Sequence, residues 1–351
     1  MRRIRDVSRN IFAPADRTAA VMERFNELIH RYVIVTDTQG KPLGTVTDGD
    51  IRRAILAGAN LDSPVSSIMN SQPMIARIDD IDAAMRILES YVFVPMVDAD
   101  GVLCEIWRAG ASESSIGTAL VMAGGKGQRL GEITKNTPKP LVLVGDQPIL
   151  GHILDWLEAG GVPRVTVSTH YLSDQIRAFL DDRGGTVRAT IIEEEESLGT
   201  AGSLAQLPEP MRGPVLMING DVLTKLDVEA FEEFHRTHGN DCTIAVSPYE
   251  VSIPFGVTKH DETGAFLEVE EKPTYAYFVA AGIYLLETSF CHLVPPNARM
   301  DMPDLINLGR NAGLKVGVFP IHEYWIDVGR PDDLRSAERD HHASKSAGKD
   351  G

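Results

Sequence analysis

The chain has 351 residues, of which 43% are hydrophobic and 24% charged, enough for two domains with separate cores. A net charge of −16 excludes nucleic acid as the natural partner, since a polyanion needs a basic face. No apolar run reaches the ~20 residues that span a bilayer, and the basic start at residues 1–6 is followed by no signal-peptide core. Cys104, Cys242 and Cys291 stand far apart with no CxxC pair. The expectation is a cytoplasmic protein with reduced cysteines and without membrane or zinc.

The first third repeats itself. Residues 32–35 and 43–47 read as strands around the turn Asp37-Thr38-Gln39-Gly40, and a helix starts at Asp48. Residues 92–97 and 102–107 repeat the pattern around Asp98-Ala99-Asp100-Gly101, at an offset of 61. Ala19, Met22, Phe25 and Ile29, and later Ala83, Met85 and Leu88, mark a helix before each hairpin. This helix–strand–strand–helix unit, twice over and carrying Gly44-Thr45-Val46-Thr47-Asp48-Gly49-Asp50-Ile51, resembles a pair of CBS modules, a Bateman domain. The resemblance implies that Thr47 and Asp50 hold the phosphate and ribose of a regulatory purine nucleotide, helped by Arg52, Arg53 and the helix start. Superposing the repeats sets Trp107 at the place of Thr47 and Gly110 at that of Asp50. One ligand site per chain is then expected, with the second half a packing partner and dimer surface. The alternative is an oligomerisation module whose signature only shapes a turn.

The small polar stretch 111–115 reads as a linker, dividing a regulatory domain at 1–115 from a second domain at 116–337, with a flexible tail at 338–351. The two parts differ in charge: residues 1–117 carry 13 Lys and Arg against 16 Asp and Glu, and the remainder 21 against 34. In the second domain, strand patterns at 118–123, 164–168 and 215–218 alternate with helix patterns at 173–180 and 228–235. That alternation gives the expected class: α/β, a Rossmann-like mixed and mainly parallel sheet.

The strand at 118–123 runs into Gly124-Gly125-Lys126-Gly127-Gln128-Arg129-Leu130, followed by Pro138-Lys139-Pro140-Leu141. Glycines there let backbone amides approach phosphate oxygens. No Ser or Thr follows Lys126, so it is not a P-loop; Leu130 stands where a dinucleotide fingerprint needs its third glycine. Four more stretches follow in order: Leu198-Gly199-Thr200-Ala201-Gly202, Asn219-Gly220-Asp221, Glu270-Glu271-Lys272-Pro273 and Trp325-Ile326-Asp327-Val328-Gly329. Together they resemble the sugar-1-phosphate nucleotidyltransferases, over about 118–335, and most of all those making GDP-sugars.

What the resemblance implies is a reaction between two anions, in which charge must be neutralised rather than a base supplied. Ala123, Gly124, Gly125 and Gly127 cradle the nucleotide; Arg129 grips the triphosphate, its fork suiting bidentate contact. Lys139 neutralises the α-phosphoryl, and Lys272 holds the sugar phosphate with Glu271, Gly220 and Gly282 about the sugar. Asp221 and Asp327 bind Mg²⁺, a hard ion that takes carboxylate and phosphate oxygens. Gly199 and Thr200 border the base. Glu194, at the spacing where uridylyltransferases of the family carry glutamine, offers only acceptors, which suits the adjacent donors of guanine and favours GTP. Substrates are thus GTP, or another NTP, and a sugar 1-phosphate, in a homo-oligomer. Ala280 and Ala281 precede Gly282 where the family often has Asn or Thr, so a sugar contact is missing or supplied elsewhere. Trp325 reads as packing, and His170 as either a structural histidine or a ligand contact. UTP or dTTP as substrate, and a non-catalytic sensor of nucleotides, are the other readings.

Overall fold

A computed structural model describes residues 2–25, 27–28, 31–109, 114–185 and 187–347. The chain divides into two compact units, residues 1–113 and 114–351.

In the first unit, β2 (Ile11–Phe12) lies parallel to β3 (Tyr32–Thr36), which pairs antiparallel with β4 (Pro42–Thr47). β5 (Ala76–Arg77), β6 (Phe93–Val97) and β7 (Leu103–Arg108) repeat this arrangement, and β1 (Arg2–Ile4) is added on β7. Each hairpin shifts register at the same place, Val35/Thr36 and Met96/Val97, so the 61-residue period holds in three dimensions. The two sheets meet through Tyr32, Ile34, Leu103 and Ile106, with Tyr32 stacked on Phe93 at 4.0 Å. Helix α1 (Thr18–Phe25) turns Val21 and Phe25 into the core and leaves Ala19 and Met22 half-buried; Ile29 lies outside the described residues. Helix α3 (Ile81–Leu88) buries Ala84 and leaves Met85 exposed, a rotation of the face expected from the sequence.

The helix α2 (Asp48–Leu56) follows β4, but no helix follows β7 among the described residues 109 and 114–117. Among the described residues the expected second copy of helix–strand–strand–helix therefore shows no last helix. The pairing register also corrects the superposition. Tyr32 faces Thr47 and Phe93 faces Arg108, so Arg108, not Trp107, stands where Thr47 does; Gly110 lies outside the described residues. Trp107 instead takes the inward place of Val46, buried, with Arg3 over its ring at 4.1 Å.

The second unit begins with β8 (Thr118–Met122) and the short pair β9 (Leu143–Val144) and β10 (Gln147–Pro148). Next come α4 (Ile149–Ala159), β11 (Arg164–Thr169), α5 (Ser173–Asp182), β12 (Arg188–Glu193), β13 (Val215–Asn219), β14 (Val222–Thr224) and α6 (Val228–His238). β15 (Cys242–Ser252), β16 (Val257–His260), β17 (Phe266–Glu270), β18 (Thr274–Leu286), α7 (Thr288–Cys291) and α8 (Met302–Asn311) follow. β19 (Val316–Pro320), β20 (Trp325–Asp327) and α9 (Pro331–Ala347) complete it. Seven strands form the central sheet in the order β12-β11-β8-β13-β18-β15-β19; β18 alone runs against its neighbours. The mixed, mainly parallel sheet is the class expected.

Why the central strands read as unbroken apolar runs is visible in the cores. Ala119, Val121, Leu216 and Ile218 point into one cluster with Leu154, Phe231 and Phe319. Their neighbours Leu120, Val215 and Met217 point into the other, with Leu204, Phe290 and Leu305. Both faces of a parallel sheet are covered, so alternation disappears. Strands β15 and β18 run beyond the sheet to Ser252 and Thr274 as an exposed ribbon, with β16 and β17 paired between them.

One sequence expectation fails at the C-terminus. Residues 338–347, expected as tail, continue α9; residues 348–351 lie outside the described residues. His341 on that helix meets the His152 ring edge-on at 5.3 Å and packs so closely on Gly145 that a Cβ there would lie 2.3 Å from the imidazole. The polar composition reads as fraying, but the contacts of His341 with His152 and Gly145 tie this part of the helix to the domain. No helix among the described residues is long and apolar enough to cross a membrane.

Candidate active site

Three parallel strands, β11, β8 and β13, end side by side at the carboxyl edge of the sheet, where α/β proteins bind ligands. From β8 the chain enters the glycine loop, whose first amide, Ala123 N, donates to Ser168 O at 2.7 Å. Gly127 adopts φ +62°, and a side chain there would lie 3.0 Å from Lys139 Cβ and from Thr134 Cγ2. Thr134 Oγ1 closes the turn by donating to Gly127 O at 2.8 Å. Glycine is thus demanded by both conformation and space. Gly124 and Gly125 carry no such clash, and a Cβ on Gly125 would meet nothing.

The charged cluster lies just beyond. Asp221 follows β13, with Gly220 N donating to Met122 O at 2.9 Å, and a Cβ on Gly220 would stand 2.7 Å from that carbonyl. Val222 pairs with Asp327 across β14 and β20, and Val328 N donates to Asp221 O at 2.9 Å. Two segments a hundred residues apart thereby set their carboxylates together. Lys139, buried, bonds Asp221 through its ammonium and reaches Asp327 Oδ1 at 3.9 Å. Arg129 is exposed, its guanidinium 3.7 Å from where a Cβ of Gly329 would be. Burial first, then the Asp221 charge, raises the Asp327 carboxyl above its ordinary value, against the pull of Lys139 and Arg129. A cleft of about 430 Å³ opens here, lined by Gly125, Lys126, Gly127, Arg129, Lys139 and Asp221.

These residues fit a divalent cation. Asp327 Oδ1 is buried with no hydrogen-bond partner, and two carboxylates share one ammonium. An orphaned acceptor beside a like charge is what a hard cation relieves.

Of the other expected site residues, the structure brings some elsewhere. Glu271 and Lys272 are exposed on the connection between β17 and β18, and neither is hydrogen-bonded or ion-paired to the Lys139 cluster. Lys272 has φ +48°, uncommon for a residue with a side chain. Gly282, at φ +71°, packs on Asn219, where a Cβ would meet Nδ2 at 2.6 Å. Trp325 packs on the core and donates to Ala281 O at 2.8 Å. His170 donates from Nδ1 to Glu194 O at 2.9 Å, which gives one of its two ring nitrogens a partner within the protein.

Glu194 requires the largest revision. It is buried, Oε1 accepts from Ser168 Oγ at 2.5 Å and from Ser203 Oγ at 2.7 Å, and Oε2 accepts from Leu198 N at 2.8 Å. Little remains of the free acceptor pair that reading guanine requires. Thr200 likewise faces the protein: its N–H donates to Asp301 Oδ1 at 3.0 Å and its hydroxyl accepts from Met302 N at 2.8 Å. Asp301 was not found by sequence reasoning. As the residue before α8 with Pro303 behind it, it signals an N-cap, yet its carboxylate makes no cap bond and goes to Thr200 instead.

In the first unit, Thr47 and Asp50 hold each other. Thr47 N and Oγ1 both donate to Asp50 Oδ2 at 2.7 Å, Asp50 N donates to Thr47 Oγ1 at 3.3 Å, and Arg53 pairs with Asp50 Oδ1. This is a capping box at the start of α2.

Comparison with known proteins agrees with this architecture. Residues 118–344 match the nucleotidyl transferase family, and residues 10–57 match the CBS domain. Mannose-1-phosphate guanylyltransferase 1 of Arabidopsis thaliana is 31% identical over 225 residues, covering 61% of this chain and 62% of that protein. Mannose-1-phosphate guanylyltransferase of Mycobacterium tuberculosis is 30% identical over 223 residues, covering 62% of each. The chain therefore spans about 62% of the length of the curated relatives it matches. The crystal structure of HddC from Yersinia pseudotuberculosis superposes with a TM-score of 0.52 at 24% identity, covering 64% of this chain and all of that one, which speaks for the fold.

Proposed function

The chain belongs to the nucleotidyl transferase family and carries a CBS domain, and from this we propose that it joins a sugar 1-phosphate to a nucleoside monophosphate taken from an NTP. An oxygen of the sugar phosphate forms a bond to the α-phosphorus. The bond from that phosphorus to the bridging oxygen breaks, and pyrophosphate leaves with the electron pair. The observation that carries the reading is Lys139 held between Asp221 and Asp327 beside the glycine loop.

Each residue has a part. The loop amides from Gly124 to Gly127 and the exposed Arg129 receive the triphosphate. Lys139 meets the α-phosphoryl and lowers the repulsion between the two anions. Asp221 and Asp327 would hold Mg²⁺, which supplies charge neutralisation at the phosphate oxygens. Lys272 and Glu271, exposed on the ribbon, reach the sugar phosphate when substrate is bound.

GTP is the nucleotide we favour and a mannose-like hexose the sugar, supported by the names of the guanylyltransferase relatives and not by Glu194. HddC, whose fold is similar, was crystallised with GMP-PN. The first unit acts as a regulatory module for a purine nucleotide at Thr47 and Asp50, and the protein works as a cytoplasmic homo-oligomer. Pyrophosphorolysis tests the reading: with Mg²⁺ and pyrophosphate, GDP-mannose should yield GTP faster than UDP- or dTDP-hexoses yield their triphosphates. Tight binding of nucleotides without turnover of any NDP-sugar would instead support the sensor reading.

A further inference from the structure

We infer that Asp301 and Glu194 are positioning residues that clamp the turn at residues 198–202 from opposite sides, so that nucleotide affinity depends on two carboxylates that do not touch the nucleotide. The inference rests on the proposed function for the identity of the ligand, and on hydrogen bonds alone for the clamp.

The turn is tied through its own backbone. Leu198 N donates to Glu194 Oε2 at 2.8 Å, and two residues on, Thr200 N donates to Asp301 Oδ1 at 3.0 Å. Strand-like bonds add to the second side: Ala201 N donates to Met300 O and Met300 N to Leu198 O, both at 2.9 Å. Gly199 sits between the two carboxylates at φ +79°, where a Cβ would lie 2.6 Å from Asp301 Oδ1 and from Met300 O. The approach is so close that only glycine admits it.

The two anchors are of different kinds. Glu194 is 4% exposed and fixes the turn to the sheet, through Ser168 at the end of β11 and Ser203 beyond the turn. A Cβ on Gly124 would be 3.6 Å from Glu194 Oε1, so the same carboxylate stands behind the glycine loop. Asp301 comes from the far segment before α8 and is held low in pKa, first by the Thr200 amide that donates to it. Amide-to-carboxylate bonds are about twice as strong as neutral ones, which suits an anchor for a turn that must keep one shape.

Full-length Asp301→Ala, Asp301→Asn, Thr200→Val and Glu194→Gln test the clamp by steady-state kinetics and by amide hydrogen exchange over residues 198–202 without ligand. Asp301→Ala should raise the KM for NTP about 10- to 100-fold, the loss of one bond to a charged acceptor. The KM for sugar phosphate should stay within about twofold. Exchange of the turn amides should quicken in the same variant, and Asp301→Asn, which keeps an acceptor oxygen, should restore most of both. If Asp301→Ala does not fold, Thr200→Val, which removes only the hydroxyl that accepts from Met302, should show the same two changes more weakly. Glu194→Gln should weaken GTP and UTP alike. A shift of the GTP-to-UTP preference of tenfold or more in Glu194→Gln would overturn the clamp and return Glu194 to base reading. Unchanged exchange and KM in Asp301→Ala would overturn it too. The exchange measurement needs no turnover, so failure of the proposed reaction is seen separately as wild-type protein that turns over no NTP.

Discussion

Replacing Asp327 by Asn separates a metal ligand from a structural ion pair. The Lys139 ammonium lies 3.9 Å from Asp327 Oδ1, an attraction of about 4 kcal/mol at an effective dielectric of ~20. The Asp327 side chain is 44% exposed, so screening reduces this to about 1 kcal/mol or less. Opposed to it is the repulsion from Asp221, which shares the same ammonium. The two changes nearly cancel, and burial of a charge is relieved as well. Metal-free Asp327→Asn should therefore melt within about 4 °C of wild type. Turnover should fall further: loss of an outer partner alone costs a metal about 10- to 100-fold in affinity, and a direct ligand should cost at least that. Melting curves without metal and a Mg²⁺ titration of the rate measure both. A variant that melts much lower yet keeps the wild-type Mg²⁺ dependence would refute the assignment and leave Asp327 as half of an ion pair.

Gly220→Ala should lower stability by about 1–3 kcal/mol and turnover with it, since the added Cβ would stand 2.7 Å from Met122 O, a backbone atom that cannot yield; denaturant melts check this, and wild-type stability would contradict it. Stability should also fall as pH drops below about 6.5, the ordinary histidine value. Burial lowers the pKa of His235 despite Glu287, Asp241 and Glu232 nearby, so the unfolded chain takes up the proton first. Above that value the contribution is fully present, and His235→Gln should flatten the slope of Tm between about pH 7 and 5.5. In the first unit, calorimetry with full-length protein should find about one purine-nucleotide site per chain that Asp50→Ala abolishes. Unaltered binding would leave Thr47 and Asp50 with the capping role their hydrogen bonds already describe.

Much of the architecture was legible because it is written in short-range patterns. The strands at 118–122, 164–169 and 215–219 announce themselves as apolar runs, since both faces of the sheet are covered. The repeat is visible through its two Asp-to-Gly turns, each capped by the Asp37 or Asp98 carboxylate. What escaped depends on long-range partners. Glu194 looks like one of four exposed charges until Ser168, Leu198 and Ser203 close around it. Asp301 carries the mark of a helix cap and spends its carboxylate on a residue a hundred positions away. Composition misjudged α9, whose polar residues hide the packing of His341 on Gly145. The superposition that set Trp107 on Thr47 falls one residue short of the 61-residue offset, which carries Thr47 to Arg108 as the pairing register does.

The most direct test is the forward reaction of full-length protein with GTP, mannose 1-phosphate and Mg²⁺, following pyrophosphate and nucleotide sugar together. The account predicts one GDP-sugar for each pyrophosphate, a rate lost when Mg²⁺ is chelated, and GTP used in preference to the other three triphosphates. No pyrophosphate from any of the four NTPs, across a panel of hexose and hexosamine 1-phosphates, would contradict it.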